Sequence, residues 1–345
     1  MSSFDSFDDD GDLKVQSTAN DALTAKYSAC SLGYFQDPFL KALVEQNLPS
    51  SSGRAGRKPP IINRGYYGRV QCIQSTIDSF LEATNHCDRQ IVSLGCGFDT
   101  NSVKILSQNL PRLSLFEVDF KAIISRKVDM FLKQPAICDV LFAIESDGME
   151  MNPRPCHKKE MLATQYGYKL GQLNLISVDI RIENALCTAL IDSGANPSIP
   201  TLFVSECVLV YLERDCVLSL TQSIVQHFSE SAWVSYDMIN PTDLFGKTML
   251  RNLAAARHKV PGFVQFPTTD AHKDRYLTTG WNEAHCISML RAFNIFVSAE
   301  EKYRIARLEM LDEIEEWELI MQHYAFTVAI HGATLPTMNI LPLLQ

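Results

Sequence analysis

Residues 91–100 read IVSLGCGFDT, a short apolar run followed by the turn Gly95-Cys96-Gly97. The run predicts a buried strand, and two glycines at its end let the backbone pass close to a ligand that a side chain would block. About 20 residues further on, a second apolar run ends in Asp119, whose carboxylate can accept hydrogen bonds from both hydroxyls of a ribose. Gly95, Gly97 and Asp119 together predict a site for a nucleoside-containing cofactor. The glycines alone would also fit an ordinary loop.

Strand and helix patterns alternate along the chain around this turn. Short apolar runs predict strands, and segments with apolar residues at helical spacing lie between them, as at 122–132 and 216–228. The alternation predicts a doubly wound, mostly parallel sheet with helices on both faces. The strands are predicted at 90–94, 113–118, 173–178, 202–205 and 232–236. In the C-terminal part, helices are predicted at 283–293 and 308–321, and strands at 295–298 and 325–330.

The remaining segments define the expected domain organisation. Residues 1–20 are polar and acidic and are expected to form a disordered tail, followed by a helical cap over 21–48. Residues 21–345 are expected to form a single domain with insertions at about 133–170 and 240–280. Because these two segments are long and rich in Pro, Gly and Met, they are expected to be excursions from the sheet that cover a site.

Composition narrows the function classes. The 345 residues carry a formal net charge of -9, which disfavours a broad nucleic-acid surface. The N-terminus lacks the basic start and apolar stretch of a signal peptide, and no run of about 18 apolar residues predicts a membrane span. None of the ten cysteines is spaced as Cys-x-x-Cys, so no metal site is expected. Reduced thiols would fit the cytoplasm, with the nucleus as the alternative.

The residues after the glycine turn distinguish between two cofactors. A dinucleotide favours a third glycine, so that a helix can approach its pyrophosphate, but Phe98-Asp99 stands where that glycine is expected. A carboxylate at this place would repel a pyrophosphate, whereas it is compatible with a sulfonium and an amino group. The sequence therefore favours S-adenosylmethionine and leaves an NAD-dependent oxidoreductase as a rival.

Two more predicted strands end in acids that would face the same crevice. Asp179 can accept a hydrogen bond from the amino group of adenine, and Glu206 can hold the amine of the methionyl part of the cofactor. The alternative for each acid is that it caps the helix that follows, because carboxylates favour helix N-termini. Three acids at successive strand ends make a shared role the better interpretation.

A basic stretch precedes the glycine turn, in a protein whose overall charge is negative. Arg69 lies at a predicted helix start and can bind a carboxylate of the cofactor or of the acceptor. Tyr211 follows Glu206 by five residues and can lie over the transferred group, although simple packing explains it equally well. Arg64 lies with Arg69 beside two tyrosines in the segment 64–69. The other cations of the stretch also fit a solvated loop: Arg54, Arg57 and Lys58.

With these residues identified, the sequence resembles the leucine carboxyl methyltransferase family from about Asp21 to about Ile330. The resemblance rests on five segments, of which the second contains Arg69 and the fifth contains both Glu206 and Tyr211. These segments are 31–38 (SLGYFQDP), 62–70 (INRGYYGRV), 94–100 (LGCGFDT), 116–120 (FEVDF) and 205–211 (SECVLVY). Cys96 and Ile180 are mild departures from the family pattern, and the 49–58 loop, the 133–170 segment and the tail after Ala333 are unlike it.

The resemblance implies a class I methyltransferase fold, S-adenosylmethionine as the methyl donor, and the C-terminal leucine of a type 2A protein phosphatase catalytic subunit as the acceptor. It assigns contacts with the cofactor to seven positions, of which Lys26 and Ile180 come from the resemblance only. These positions are Lys26, Arg69, Gly95, Asp119, Asp179, Ile180 and Glu206. Arg69 and Tyr211 are the residues expected to act in catalysis.

An ionised acceptor explains why the sequence shows no pattern of a catalytic base. A terminal carboxyl group has a pKa of about 3.5 and needs no general base at neutral pH. No nucleophile–base arrangement such as Ser/His/Asp stands out in the sequence. Two alternative functions are also compatible with the resemblance. One is that of a sister branch, which modifies a tRNA nucleoside and carries added kelch repeats. The other is that of an adaptor that binds the phosphatase without catalysis.

Overall fold

The computed structural model describes residues 9–47, 56–143, 161–333, 335, 338 and 341–344. Its strands are β1 Arg89–Leu94, β2 Leu113–Asp119, β3 Met161–Ala163, β4 Gly167–Leu170, β5 Leu173–Ser177, β6 Thr201–Glu206, β7 Ser231–Met238, β8 Glu283–Ser288 and β9 Tyr324–His331. Its helices are α1 Asp9–Ser31, α2 Leu40–Asn47, α3 Pro60–Ala83, α4 Asn101–Leu106, α5 Lys121–Leu132, α6 Pro135–Leu141, α7 Ala185–Asp192, α8 Arg214–His227, α9 Leu244–Ala255, α10 Pro261–Gln265, α11 Thr269–Leu277, α12 Met289–Phe296, α13 Ala299–Ala306, α14 Ile314–Gln322 and α15 Leu341–Leu344.

All described strands join one sheet in the order β3-β4-β5-β2-β1-β6-β7-β9-β8. The five central strands, β5 to β7 in this order, are parallel, and the strands at both edges are antiparallel. From β1 the chain first builds the sheet through β2 to β5 and then returns to build the other half from β6. The strand order therefore reverses between β1 and β6, which is where open α/β sheets bind ligands. The predicted doubly wound, mostly parallel sheet is confirmed.

The central strands bury both of their faces. Along β6, Leu202 and Val204 join one hydrophobic core, while Phe203 between them joins the other. The same alternation holds in β7, where Val234 and Trp233 point to opposite cores. Because side chains alternate across a strand, a strand covered by helices on both faces reads as a continuous apolar run. This is why the sequence located the parallel strands within two residues at each end.

The N-terminal segment differs from the expected tail. Residues 9–20, which the acidic composition assigned to a disordered tail, belong to helix α1. This helix packs against α2 and α3 and buries Leu23, Ala25 and Ala29. The prediction of a disordered tail is wrong because tertiary contacts stabilise this helix, and the composition of the segment does not reveal them.

The segment before the last strands was also assigned wrongly. Residues 283–293 were predicted as one helix, but they form β8 followed by the start of α12, and the strand predicted at 295–298 overlaps the end of that helix. β8 pairs along its whole length with β9, so the exposed edge of β9 determines its conformation more than local propensity does. The side chain of Ser288 accepts a hydrogen bond from Arg291 N and begins α12.

Two further observations concern features expected to be absent. No described helix combines the length and the apolar character that crossing a bilayer requires. Eight cysteines in the described residues carry free thiols, whereas Cys138 is disulfide-bonded, so the expectation of reduced thiols is wrong at this position.

Candidate active site

A cavity of about 520 Å³ lies at the carboxyl edge of the parallel strands, at the reversal between β1 and β6. Its volume is in the range typical of sites for small molecules and cofactors. All nine residues that the sequence singled out line it, which brings together positions up to 185 residues apart. They are Lys26, Arg69, Gly95, Gly97, Asp119, Asp179, Ile180, Glu206 and Tyr211. The individual roles given to them remain predictions.

The glycine turn after β1 has the backbone conformation that its residues suggested. Gly95 and Gly97 have φ angles of +58° and +48°, which side chains rarely adopt. A Cβ atom on Gly95 would lie 2.5 Å from a methyl group of Val208, and one on Gly97 would lie 3.4 Å from the Cβ atom of Ala19. Helix α1 therefore packs directly over the turn. At position 95 there is no space for any side chain, whereas at position 97 an added Cβ atom would make an ordinary contact.

Asp119 is held by the main chain. Its two carboxylate oxygens accept hydrogen bonds from Gly97 N and Phe120 N, both at 2.7 Å. Burial raises the pKa of Asp119 above its ordinary value, and these two N–H groups partly oppose that rise. Each carboxylate oxygen can accept a second hydrogen bond, so the group remains able to bind a diol.

Lys26 and Asp99 form an ion pair beside the glycine turn, with the Lys26 ammonium 2.6 Å from the carboxylate. Burial opposes the charge on Lys26, but the carboxylates of Asp99 and Glu206 outweigh it and raise its pKa. Burial would raise the pKa of Asp99, yet Lys26 lowers it to about 2. The repulsion that Asp99 would exert on a pyrophosphate is therefore weakened, and the case against a dinucleotide depends more on the missing third glycine.

Arg69 pairs with Glu206 and lies between aromatic rings. Its Nε donates to a carboxylate oxygen of Glu206, and its guanidinium lies 5.6 Å from the ring centre of Tyr66 and 4.9 Å from that of Tyr236. Burial opposes the charge, but Glu206 raises the pKa of Arg69, so the guanidinium stays protonated. The pair presents one cation and one anion, which are the partners that the carboxylate and amine of an amino acid require.

Arg181 was not singled out by the sequence, although it follows the strand-end acid Asp179 by two residues. Its guanidinium donates to both oxygens of Asp179 and, at 2.8 Å each, to both oxygens of Asp12 in α1. Asp12 and Arg181 both line the cavity. An arginine close after a strand-end acid was the only local indication, and nothing near Asp12 in the sequence indicated its partner.

The other end of the cavity is aromatic and apolar. The rings of Tyr236 in β7 and Tyr324 in β9 stack with their centres 4.9 Å apart and an angle of 10° between them. Tyr211 lines the same end, and burial raises its pKa to about 12, so its phenol is neutral and can donate a hydrogen bond. Met238 and Leu253 add apolar surface. This end can take an aliphatic side chain.

The strand order arranges these groups along a line. Neighbouring strands in a sheet are about 4.8 Å apart, so their ends succeed one another at that spacing. The carboxylates come first, and the aromatic rings begin where β7 follows β6. In spatial order the groups are Asp179 after β5, Asp119 in β2, Gly95 after β1, Glu206 in β6, Tyr236 in β7 and Tyr324 in β9.

Comparison with known proteins identifies the family of this chain. The model of the leucine carboxyl methyltransferase family matches residues 14–225. The chain belongs to this family. It is 32% identical to a leucine carboxyl methyltransferase 1 homolog of Arabidopsis thaliana over 92% of this chain and 90% of that protein. It is likewise 32% identical to leucine carboxyl methyltransferase 1 of Caenorhabditis elegans, over 92% of this chain and 91% of the relative.

A third relative belongs to a different pathway by name. The tRNA wybutosine-synthesizing protein 4 of Homo sapiens is 29% identical over 95% of this chain, which spans 46% of that protein. Leucine carboxyl methyltransferases use S-adenosylmethionine as the methyl donor. As a member of this family, the chain described here is a methyltransferase enzyme.

The other described cations of the basic stretch lie outside the cavity lining. Arg57 donates to Glu309 at 2.6 Å, and the guanidinium of Arg64 lies 5.9 Å from the ring centre of Trp317. Arg54 lies outside the described residues. Of the cations predicted from this stretch, Arg69 is the one that the described part of the structure places in the cavity lining. Within the described ranges, no group of three or more His, Cys, Asp or Glu side chains is arranged to hold a metal ion.

Substitution of Gly95 tests the glycine turn of this family member. Gly95→Ala combines a strained φ with the contact to Val208, and we expect it to lower the free energy of unfolding by about 3 kcal/mol. Gly194→Ala is the matched control, because its φ is +98° but nothing lies within 4 Å of the added atom. It should cost about 1–2 kcal/mol. Urea denaturation measures both, and equal losses would contradict the close packing at Gly95.

The pH dependence of stability tests the Lys26–Asp99 pair. The lowered pKa of Asp99 means that its ionised form stabilises the folded state above the ordinary pKa of 3.8, and that this contribution is lost as pH falls toward about 2. We expect Asp99→Asn to lower the free energy of unfolding by about 2 kcal/mol at pH 7 and by progressively less below pH 4.

Glu45→Gln is the control for this substitution, since its pair with Lys41 is 3.9 Å long and solvent-exposed. Denaturation series at pH 7, 5 and 3 should show almost no effect of the control at any pH. A loss for Asp99→Asn that does not change between pH 7 and pH 3 would show that the charge of Asp99 is not what stabilises the fold.

Proposed function

We propose that this protein transfers a methyl group from S-adenosylmethionine to the C-terminal leucine carboxylate of a type 2A protein phosphatase catalytic subunit. The observation that carries the proposal is the change in the character of one cavity between β6 and β7. The lining is rich in carboxylates up to Glu206 and becomes aromatic and apolar from Tyr236, and Arg69 contacts both residues at this boundary. A charged donor and an aliphatic acceptor with a carboxylate fit the two halves.

The carboxylate half fits the donor. Asp119 would accept hydrogen bonds from the ribose, Asp179 with Ile180 would hold the adenine, and Glu206 and Arg69 would bind the amine and carboxylate of the methionyl part. Bound S-adenosylmethionine supplies a methyl group on a sulfonium sulfur. Six carboxylates and three Lys or Arg side chains line the described part of the cavity, and this negative balance favours a cationic ligand. They are Asp12, Asp21, Asp99, Asp119, Asp179 and Glu206, with Lys26, Arg69 and Arg181.

The aromatic half fits the acceptor. A terminal carboxylate is ionised at neutral pH, so the protein has only to align it and exclude water. The neutral phenol of Tyr211 can donate to the carboxylate oxygen that does not react, and Arg69 lies close enough to share in neutralising its charge. Met238 and Leu253 provide the apolar surface that a leucine side chain would cover.

Features of segment 240–280 support a protein as the acceptor. This segment contributes Leu253 and His258 to the cavity lining, so the site opens beside it. It also exposes Leu244, which is 86% accessible, and Val264, which is 54% accessible. The names of the relatives specify leucine carboxyl groups, and the choice of the phosphatase follows from the sequence resemblance.

A tRNA nucleoside is the competing acceptor, because the human wybutosine-synthesizing relative is 29% identical to this chain. The net charge of -9 opposes binding to a phosphate backbone. In this alternative a carboxyl group of the tRNA nucleoside would be methylated, so an experiment has to compare the two acceptors directly.

Incubation with methyl-labelled S-adenosylmethionine separates these acceptors. We expect label on the intact phosphatase catalytic subunit, released as methanol by mild alkali as an ester requires. A phosphatase subunit that lacks its terminal leucine, and tRNA, should stay unlabelled. Label on tRNA or on the truncated subunit would overturn the proposed acceptor, and binding of the phosphatase without any transfer would indicate the adaptor.

Removal of the Arg69 guanidinium tests its role between the carboxylate and aromatic halves of the cavity. Arg69→Ala should lower kcat/KM about 100-fold, the effect of losing about 2.7 kcal/mol of charge-assisted hydrogen bonding. Arg64→Ala is the matched control, since it removes the same charge from the same helix outside the cavity. Steady-state rates and thermal midpoints should be measured together. Similar rates for the two variants, both folded, would exclude the role given to Arg69.

A further inference from the structure

Helix α1 forms one wall of the cavity over two-thirds of its length. Six of the nine lining residues follow helical spacing, which places them on one face of the helix. Lys26 lies at the glycine turn and Asp12 lies near the end of β5, so this face spans the half of the cavity that carries the carboxylates. The lining residues of α1 include Asp12, Val15, Gln16, Ala19, Leu23 and Lys26.

Ion pairs hold this wall at both ends. Lys26 binds Asp99 near one end, and Asp12 binds Arg181 near the other. Between them the helix contacts the turn through small residues, with Ala19 beside Gly97. A nucleoside bound at Asp119 and Asp179 would therefore lie beneath α1, and it could leave by this side only if the helix moved.

The guanidinium of Arg181 joins the helix to the strand end. It donates to both oxygens of Asp12 and to both oxygens of Asp179, so one side chain connects two carboxylates that are 167 residues apart in sequence. The side chains of Arg181 and Asp12 are each 21% exposed. The pair is close enough to solvent to open without uncovering the core of the protein.

We propose that Arg181 is a positioning residue that holds α1 closed over the nucleoside of the bound cofactor, so that the Asp12–Arg181 pair determines how fast the demethylated product leaves. The inference rests on the proposed function, because it requires an adenosyl cofactor in the cavity. Closure excludes water during transfer, and opening has to precede release. The pair should therefore affect the dissociation rate more than it affects the chemical step.

Stopped-flow dissociation of S-adenosylhomocysteine tests the proposal without methyl transfer. We expect Asp12→Asn to raise the dissociation rate about 10-fold, which corresponds to losing one charged pair at a partly exposed site. Asp139→Asn removes the same charge from an exposed position of α6 outside the cavity and should leave the rate unchanged. Arg181→Lys keeps the charge but not the fork that reaches both acids, and its rate should be intermediate.

Exchanging the two charges separates closure from a general loss of structure. Arg181→Asp alone should release the product faster than Asp12→Asn, because two acids then repel at the contact. The double variant Asp12→Arg with Arg181→Asp should return the rate toward that of the wild type. Hydrogen exchange of residues 12–26 with bound product should rise in the single variants and fall again in the double variant.

The outcomes distinguish this inference from the function on which it rests. Dissociation rates within twofold of the wild type in both Asp12→Asn and Arg181→Asp would overturn the role of Arg181 while leaving the cofactor site intact. A double variant that stays as fast as Arg181→Asp would also overturn it. A wild-type protein that binds no S-adenosylhomocysteine would overturn the proposed function and the inference together.

Discussion

Compensation of charge at the carboxyl edge of the sheet is the constraint on which the rest of the structure depends. Parallel strands bring acids at the ends of β2, β5 and β6 to one edge, beside Asp99 of the glycine turn. A carboxylate that leaves water without a partner costs several kcal/mol. Three of these acids pair with cations from outside the strands, and the fourth is held by main-chain N–H groups. The pairs are Asp99 with Lys26, Asp179 with Arg181 and Glu206 with Arg69. Among the described residues, no ion pair is formed by Asp119, which accepts from Gly97 N instead. The positions of α1 and α3 follow from this requirement, because they supply Lys26 and Arg69.

The same compensation explains why the site favours one type of ligand. A fully neutralised edge would have no preference for charge, but the described cavity lining has more carboxylates than cations. In the proposed function, a cofactor with a sulfonium and an amine would complete the balance, and its own carboxylate would bind Arg69. The buried pair of Lys127 with Glu117, at 2.6 Å beneath the turn, extends the pattern into the core. The aromatic half of the cavity begins beyond these charged residues. An apolar surface suits an acceptor carboxylate that loses its charge on esterification.

The site residues that a local sequence pattern marks could be predicted from the sequence. Gly95 and Gly97 need a backbone that only glycine adopts easily, and the acids stand at strand ends that apolar runs make visible, so their meeting at one edge follows from a parallel sheet. Lys26 and Ile180 were placed at the cavity by the family resemblance, because no local pattern marks them. The partners of the acids could not be predicted. Asp12 and Arg181 are 169 residues apart, and the acidic residues around Asp12 suggested a solvated tail instead of a helix. The strand β8 was missed for the same reason, since its conformation depends on pairing with β9.

Calorimetric titration of the purified chain with S-adenosylmethionine tests the central claim most directly. We expect one binding site per chain and clear heat with S-adenosylmethionine. Asp119→Asn should remove most of the affinity while the protein stays folded, and NAD should give no heat under the same conditions. A folded wild-type protein that shows no heat with S-adenosylmethionine, or that binds NAD instead, would contradict the claim that this edge of carboxylates is a site for an adenosyl sulfonium.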